Sequence, residues 1–419
     1  MQTTLIQRYL GNKSAIANEI VEIIRSVAAP GELIFDAFSG SLAVSAALRT
    51  AGYEVACNDI NHFSWLFARA YFSERGLPSP AGWSHDGEEA TWQRWQNDLE
   101  RLIDEDVSDL PPVHRRSDIF DHYCEAGIKS AFLSKRGLSG RRRFFSAENA
   151  RAIDRALSRI RFRYQSGAIS EHPRCVLTAA LISAVEKISN TQGTYHDFPR
   201  DFVDSRALRP LRLKMPEPGV FCGPVSRFIG KSQDTLTFVE TLPDHKVIYI
   251  DPPYNFRQYT SYYFMLNLLS RYSEIEDLDE YFRNLEFVRG QNMGDDFKST
   301  FCSRSSFIPS LQNLVNRSKA EYVVLSYFDG RNHWGSFKSS DSEPEGKKLL
   351  EDFFSSDTFV AGSFQFLPIE RKNYQSYGGH TAKPINEFLF VARKSSLPDV
   401  ATDVRSAQWI GRNSASEIV

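Results

Sequence analysis

No CxxC pair occurs in the 419 residues, and the cysteines (Cys57, Cys124, Cys175, Cys222 and Cys302) are scattered and odd in number. A zinc ribbon and a disulfide scaffold are both excluded by that pattern. No apolar run is long enough to cross a bilayer, and the opening MQTTLIQRYLGNK is no secretory signal, so a soluble cytoplasmic protein with no membrane partner is expected. Excess charge is lacking as well: 50 basic against 52 acidic residues leave a net charge of −2. A binder held by overall positive charge is therefore excluded, and any nucleic-acid surface has to be a local patch. There is no G-x-G-x-x-G string, no internal repeat and no low-complexity tract. What is present, 42% hydrophobic and 24% charged residues, is enough to bury a large core.

The apolar pattern begins with βαβ logic. Helical spacing runs from Ser14 to Val27 and stops at Pro30-Gly31; Leu33-Ile34-Phe35 is a short strand; Leu42 to Thr50 is a helix; and Tyr53 to Asp59 is a second strand ending on an acid. From about Pro78 to Pro224 the chain is mostly helical and charged, as in Trp92–Ile103 and Ser146–Phe162. Strand character returns at Lys246–Ile250 and Tyr322–Tyr327, and stretches near Phe359–Leu367 and Glu387–Ala392 read as a closing antiparallel pair. The expected architecture is α/β: a doubly wound sheet formed by 1–77 and 225–395, interrupted by a helical insertion at 78–224, with a loose tail at 396–419.

Two strand-terminal segments carry chemistry. Asp36-Ala37-Phe38-Ser39-Gly40-Ser41 is a turn between strand and helix, where backbone N–H groups open above the sheet. With Gly40 its only glycine, it suits a nucleoside better than a pyrophosphate, and Asp59 lies where a carboxylate meets ribose hydroxyls. Asp251-Pro252-Pro253-Tyr254 is the more specific string. The prolines end the ladder, leaving a rigid turn with one carboxylate, free carbonyls and an aromatic face. Asp251 and the Pro252 carbonyl can accept both hydrogens of an exocyclic amine while Tyr254 stacks on its ring.

Asp251-Pro252-Pro253-Tyr254 resembles the catalytic motif of amino-group methyltransferases that use S-adenosylmethionine. Arg8 to Lys13, Phe35 to Ser45 and Asn58-Asp59-Ile60 are similar to the N-terminal motifs of Dam-like DNA adenine methyltransferases, in that family's order. Phe328-Asp329-Gly330 and Asn386 to Phe390 extend the likeness, and Arg257-Gln258-Tyr259 followed by Tyr262-Tyr263 resembles its restriction–modification members. The resemblance implies a Rossmann-like methyltransferase sheet with a DNA-recognition insertion, S-adenosylmethionine as cofactor, duplex DNA as substrate and a cognate restriction or defence partner. Tyr9 and Lys13 would line the cofactor's methionine side, Asp36, Phe38 and Gly40 its loop, and Asp59 its ribose. Asp234 would meet its adenine or serve as a helix N-cap.

Such a site would act on an adenine flipped from the duplex, with Tyr254 replacing lost stacking. It needs no metal, and His172, His196 and His245 read as isolated surface or loop residues. The DNA surface is expected between Lys135 and Arg163, where ten Lys/Arg face two acids, Glu148 and Asp154. Arg141, Arg142 and Arg143 are candidates, with Arg151, Arg155 and Arg159 on one helical face. An RNA adenine methyltransferase and a DNA-binding relative without catalysis remain as alternatives; a nicotinamide oxidoreductase is disfavoured by the missing glycines.

Overall fold

The computed structural model describes residues 5, 8–76, 88–329, 332–334, 345–372 and 384–395. The expected tail at 396–419, the boundary near 77–78 and Gly330 lie outside the described residues. The strands are Leu33–Asp36 (β1), Glu54–Cys57 (β2), Ala131–Leu133 (β3), Ser139–Arg141 (β4), His245–Ile250 (β5), Leu285–Glu286 (β6), Gln291–Asn292 (β7), Ala320–Phe328 (β8), Gln365–Lys372 (β9) and Pro384–Arg393 (β10). One sheet runs β2-β1-β5-β8-β10-β9, and β3–β4 and β6–β7 are separate two-stranded hairpins. The first four strands of the large sheet are parallel, and β10 is antiparallel to β8 and to β9.

Alternate side chains of the central strands enter two different cores, which is why these strands read as continuous apolar runs. Ile34, Val247, Tyr249, Val324 and Leu389 face one core, shared with the helices Ala17–Arg25, His62–Phe72 and Phe264–Arg271. Phe35, Ile248, Ile250, Val323, Leu325 and Phe390 face the other, closed by the helices Arg304–Arg317 and Glu345–Phe354. The closing antiparallel pair is present, but β9 starts at Gln365. A turn at Val360–Ser363, with Gly362 at φ 76°, takes the chain out of extended geometry just before it.

Between β2 and β5 the long elements are the helices Glu88–Asp104, Ala147–Gln165 and Glu171–Ile188. Ser146 caps the second of these, its side chain accepting from the Asn149 amide. Leu99, Ile153, Leu157 and Val176 belong to the same core as Phe63, Phe67 and Leu266, so this segment shares its apolar interior with the sheet.

From β1 the chain moves to β2 on one side, whereas from β5 it moves to β8 on the other. The crevice at the carboxyl ends of β1 and β5 is thus the switch point at which open α/β sheets bind ligands. Asp36 and Asp251 stand at that crevice.

Candidate active site

The turn after β1 is built around two left-handed residues, Gly40 at φ 44° and Leu42 at φ 62°. A Cβ on Gly40 would fall 2.7 Å from the Tyr9 ring, so close approach as well as backbone angle requires glycine there. Asp59 latches the turn: Oδ2 accepts from the Gly40 N–H at 2.9 Å, and Oδ1 accepts from the Asn61 N–H at 2.8 Å and its Nδ2 at 2.9 Å. Tyr9 stacks on Tyr263 with centroids 4.8 Å apart, fixing the wall opposite.

Two adjoining hollows open here. The larger, about 720 Å³ including its open mouth, is lined by Tyr9, Phe38, Asp59, Asp234, Asp251, Pro252, Pro253 and Tyr254 among others. The smaller, about 270 Å³, is lined by Tyr9, Lys13, Asp36, Phe38, Gly40, Tyr249 and Asp251 among others. Every residue expected from sequence to hold cofactor or substrate amine therefore lies at one continuous site. Asp234 serves as an N-cap, its Oδ1 accepting from the Leu236 N–H, and also lines the wall of the larger hollow.

Asp36 is buried; Oδ2 accepts from the Ser45 hydroxyl at 2.6 Å, whereas Oδ1 has no hydrogen-bond partner among the described residues. Burial, with a smaller push from Asp251 and Asp59, raises its carboxyl to about 7. An acceptor left unmade in a buried hollow is costly unless a donor arrives from outside.

The geometry around Asp251 differs from expectation. Lys13 lines the smaller hollow, but its ammonium is engaged by carboxylates: Nζ lies 2.8 Å from Asp251 Oδ1 and 3.3 Å from Glu387 Oε1. Glu387, fully buried on β10, also accepts from the Ser326 hydroxyl at 2.8 Å and from Arg371 Nε at 2.9 Å. Two cations thus alternate with two carboxylates along one line reaching Asp251. Burial pushes the Asp251 carboxyl up to about 6, with Lys13 opposing the rise and Glu387 adding to it. For Glu387 burial also pushes upward, but Lys13 and Arg371 outweigh it and hold the carboxyl below its ordinary value.

Glu387 and Arg371 were not among the sequence candidates. The available signal was a glutamate directly before Phe388-Leu389-Phe390-Val391, a charge in a strand otherwise written for burial. Tyr254 leans on Phe328 at 5.1 Å and 32°, its ring bordering the larger hollow.

The arginine face is corrected at Arg155 and Arg159. Arg159 is buried and pairs with Asp109 at 3.0 Å and Glu105 at 3.5 Å. Arg155 Nε donates to the Ile103 carbonyl at 2.6 Å, and exposed Arg151 sits over the Phe120 ring at 4.3 Å. Arg142 is buried too, donating to the Val288 carbonyl at 2.9 Å. The physical reason is that Ala147–Gln165 is a core helix whose cations satisfy acids and carbonyls of its neighbours. Arg141 and Arg143 stay nearer the surface, tied to the Gly127 carbonyl and to Glu125 respectively. His172 and His245 are likewise buried, with hydrogen bonds to the Ala70 carbonyl and the Ser318 hydroxyl, while His196 is exposed beside Ser261. Among the described residues no group of three or more His, Cys, Asp or Glu could hold a metal, and no helix is long and apolar enough to cross a membrane.

Residues 9–303 match the family described as D12 class N6 adenine-specific DNA methyltransferase. The type II methyltransferase M.NlaIII of Neisseria lactamica is 27% identical over 391 residues, covering 92% of this chain and 99% of that protein. The modification methylase StsI of Streptococcus sanguinis is 25% identical over 395 residues, 92% of this chain and 52% of that protein. The modification methylase LlaI of Lactococcus lactis subsp. lactis is 27% identical over 325 residues, 76% of this chain and 46% of that protein. The chain thus spans about half the length of these last two.

Proposed function

The chain belongs to the D12 class of N6 adenine-specific DNA methyltransferases, and from that premise we propose how its residues carry the reaction. It is a site-specific DNA methyltransferase, and its family uses S-adenosylmethionine as methyl donor. The hollows suit that group: Asp36 offers an unsatisfied buried acceptor that would take its cationic amino end, Phe38 and Gly40 shape the turn that would close over it, and Asp59 would meet its ribose. What the cofactor supplies is an electrophilic methyl carried on a sulfonium.

The single observation that carries the reading is the convergence of Asp251, Pro252 and Tyr254 on the hollow that the cofactor turn also lines. An adenine amino group is a poor nucleophile because its lone pair is delocalised into the ring. Accepting both N–H bonds, by Asp251 and by Pro252 O, restores density on nitrogen and aims it for in-line attack. Asp251 must be ionised to accept, so activity falls as pH drops through about 6.

Adenine within a duplex cannot reach this hollow, so the target base leaves the stack and rests on Tyr254. Replacing the target adenine by 2-aminopurine tests this: its fluorescence should rise on binding, and more weakly with Tyr254→Ala. No rise with tight binding would contradict flipping.

The DNA surface is reassigned to the β3–β4 hairpin. Lys135 and Arg136 at its turn are exposed, as are Leu133 and Leu138 beside them. A projecting ribbon with cations at its tip suits a groove, and Arg141 and Arg143 buttress its base. Replacing Lys135 and Arg136 together by Gln should weaken binding and lower the slope of log affinity against log salt by up to about 0.9 per lost phosphate contact. Arg151→Gln should leave that slope unchanged. The names of the relatives point to a modification role beside a cognate restriction enzyme.

A further inference from the structure

We infer that Glu387 and Arg371, on the last two strands of the sheet, are positioning residues for methyl transfer: they fix how Lys13 is shared and so hold the Asp251 carboxylate in place as acceptor of the target amine. The inference rests on the reading of Asp251 given above. Both residues lie beyond the segment, 9–303, that matches the family.

The geometry begins with the register of the late strands. Asp251 follows directly on β5, whose last residue, Ile250, pairs with Leu325 of β8. Ser326 is next on β8 and opposite Leu389 of β10, two residues from Glu387. On β9, Arg371 stands opposite Ile385, so it meets Glu387 as a diagonal cross-strand pair. Arg371, Glu387, Lys13 and Asp251 form a charged line from the sheet edge to the catalytic turn.

Both ends of that line reach the target site. Lys13 is 3% exposed, so among the described residues its ammonium has the two carboxylates and the Gly11 carbonyl, at 3.2 Å, in place of water. Were Glu387 uncharged, Lys13 would belong to Asp251 alone and pull it towards the smaller hollow, away from the substrate. Arg371 also lies 5.0 Å from the Phe328 ring, which itself supports Tyr254 at 5.1 Å.

A scaffold role and a positioning role differ in one observable. The charges facing Asp251 are Lys13, Glu387, Arg371 and Asp36; the nearby tyrosines, Tyr9, Tyr249, Tyr254 and Tyr259, are held protonated by burial. Glu387 favours the protonated Asp251 and Arg371 the ionised one, so removing each moves Asp251 in opposite directions.

The test is the pH dependence of kcat/KM for the full chain on duplex DNA, from about pH 5 to about pH 9. Glu387→Gln should move the acid limb to lower pH and Arg371→Gln to higher pH, each by at least about half a unit. Glu387→Asp and Arg371→Lys, which keep the charges, should return the limb towards its original place. Folded variants that lose rate with the limb unmoved, or that move it in the same direction, would overturn the inference. Should Glu387→Gln fail to fold, the Arg371 pair on the edge strand decides the matter alone. Asp251→Ala with activity retained would instead remove the underlying reading of Asp251, and the inference with it.

Discussion

Asp251→Ala is expected to lower methyl transfer by at least about 10²–10³-fold, the loss seen when one preorganised hydrogen-bonding group is removed from a transition state. The carboxylate acts on a developing charge, so its absence should appear in kcat. Duplex affinity should stay close to wild type, because the side chain sits inside the hollow and is only 16% exposed. Single-turnover transfer of labelled methyl, with DNA affinity measured in parallel, separates the two effects. A variant within a few-fold of wild type in rate would remove Asp251 from the chemistry.

The second large effect is on stability. Lys13→Met should cost about 3–5 kcal/mol, the range for removing one partner of a buried ion pair. The methionine fills the space but leaves Asp251 and Glu387 facing one another across it without their shared cation. The sign with pH follows from the shifts. In the wild type Glu387 sits below its ordinary value, so its contribution is complete above the unfolded carboxylate range and is lost as pH falls through its folded value. In the variant both carboxyls are pushed upward, so the folded state takes up protons that the unfolded chain does not. The deficit should therefore be greatest near neutral pH and shrink towards about pH 5. Urea midpoints of the two proteins across that range check it; equal midpoints at neutral pH would contradict the pairing.

Much of this was legible in the sequence because it is local. The strands that end at Asp36 and Ile250 announce themselves as short apolar runs, and two consecutive prolines after Asp251 force the ladder to stop there. The turn at Gly40 and the latch at Asp59 are 19 residues apart, close enough to be read as one βαβ unit. The ion pair between Lys13 and Asp251 spans 238 residues, and only the folded sheet brings it about.

Arg155 and Arg159 were misread for the same reason. Helical spacing puts Arg151, Arg155 and Arg159 on one face, but it is silent on what that face meets. Asp109, the partner of Arg159, is 50 residues away in a loop, and the Ile103 carbonyl bonded to Arg155 is 52 away. A basic helix and a helix whose cations are internally satisfied have the same periodicity. Glu387 was obscured in the opposite way, since its strand reads as ordinary core and only the identity of one residue departs from it.

The central claim, that this site methylates the N6 amino group of adenine in duplex DNA through Asp251, is tested most directly by mapping modified bases in DNA from cells expressing the protein. The prediction is N6-methyladenine at every copy of one short sequence with the wild type, and none at that sequence with Asp251→Ala. Methylation confined to RNA or to cytosine, or modification that persists in Asp251→Ala, would contradict it.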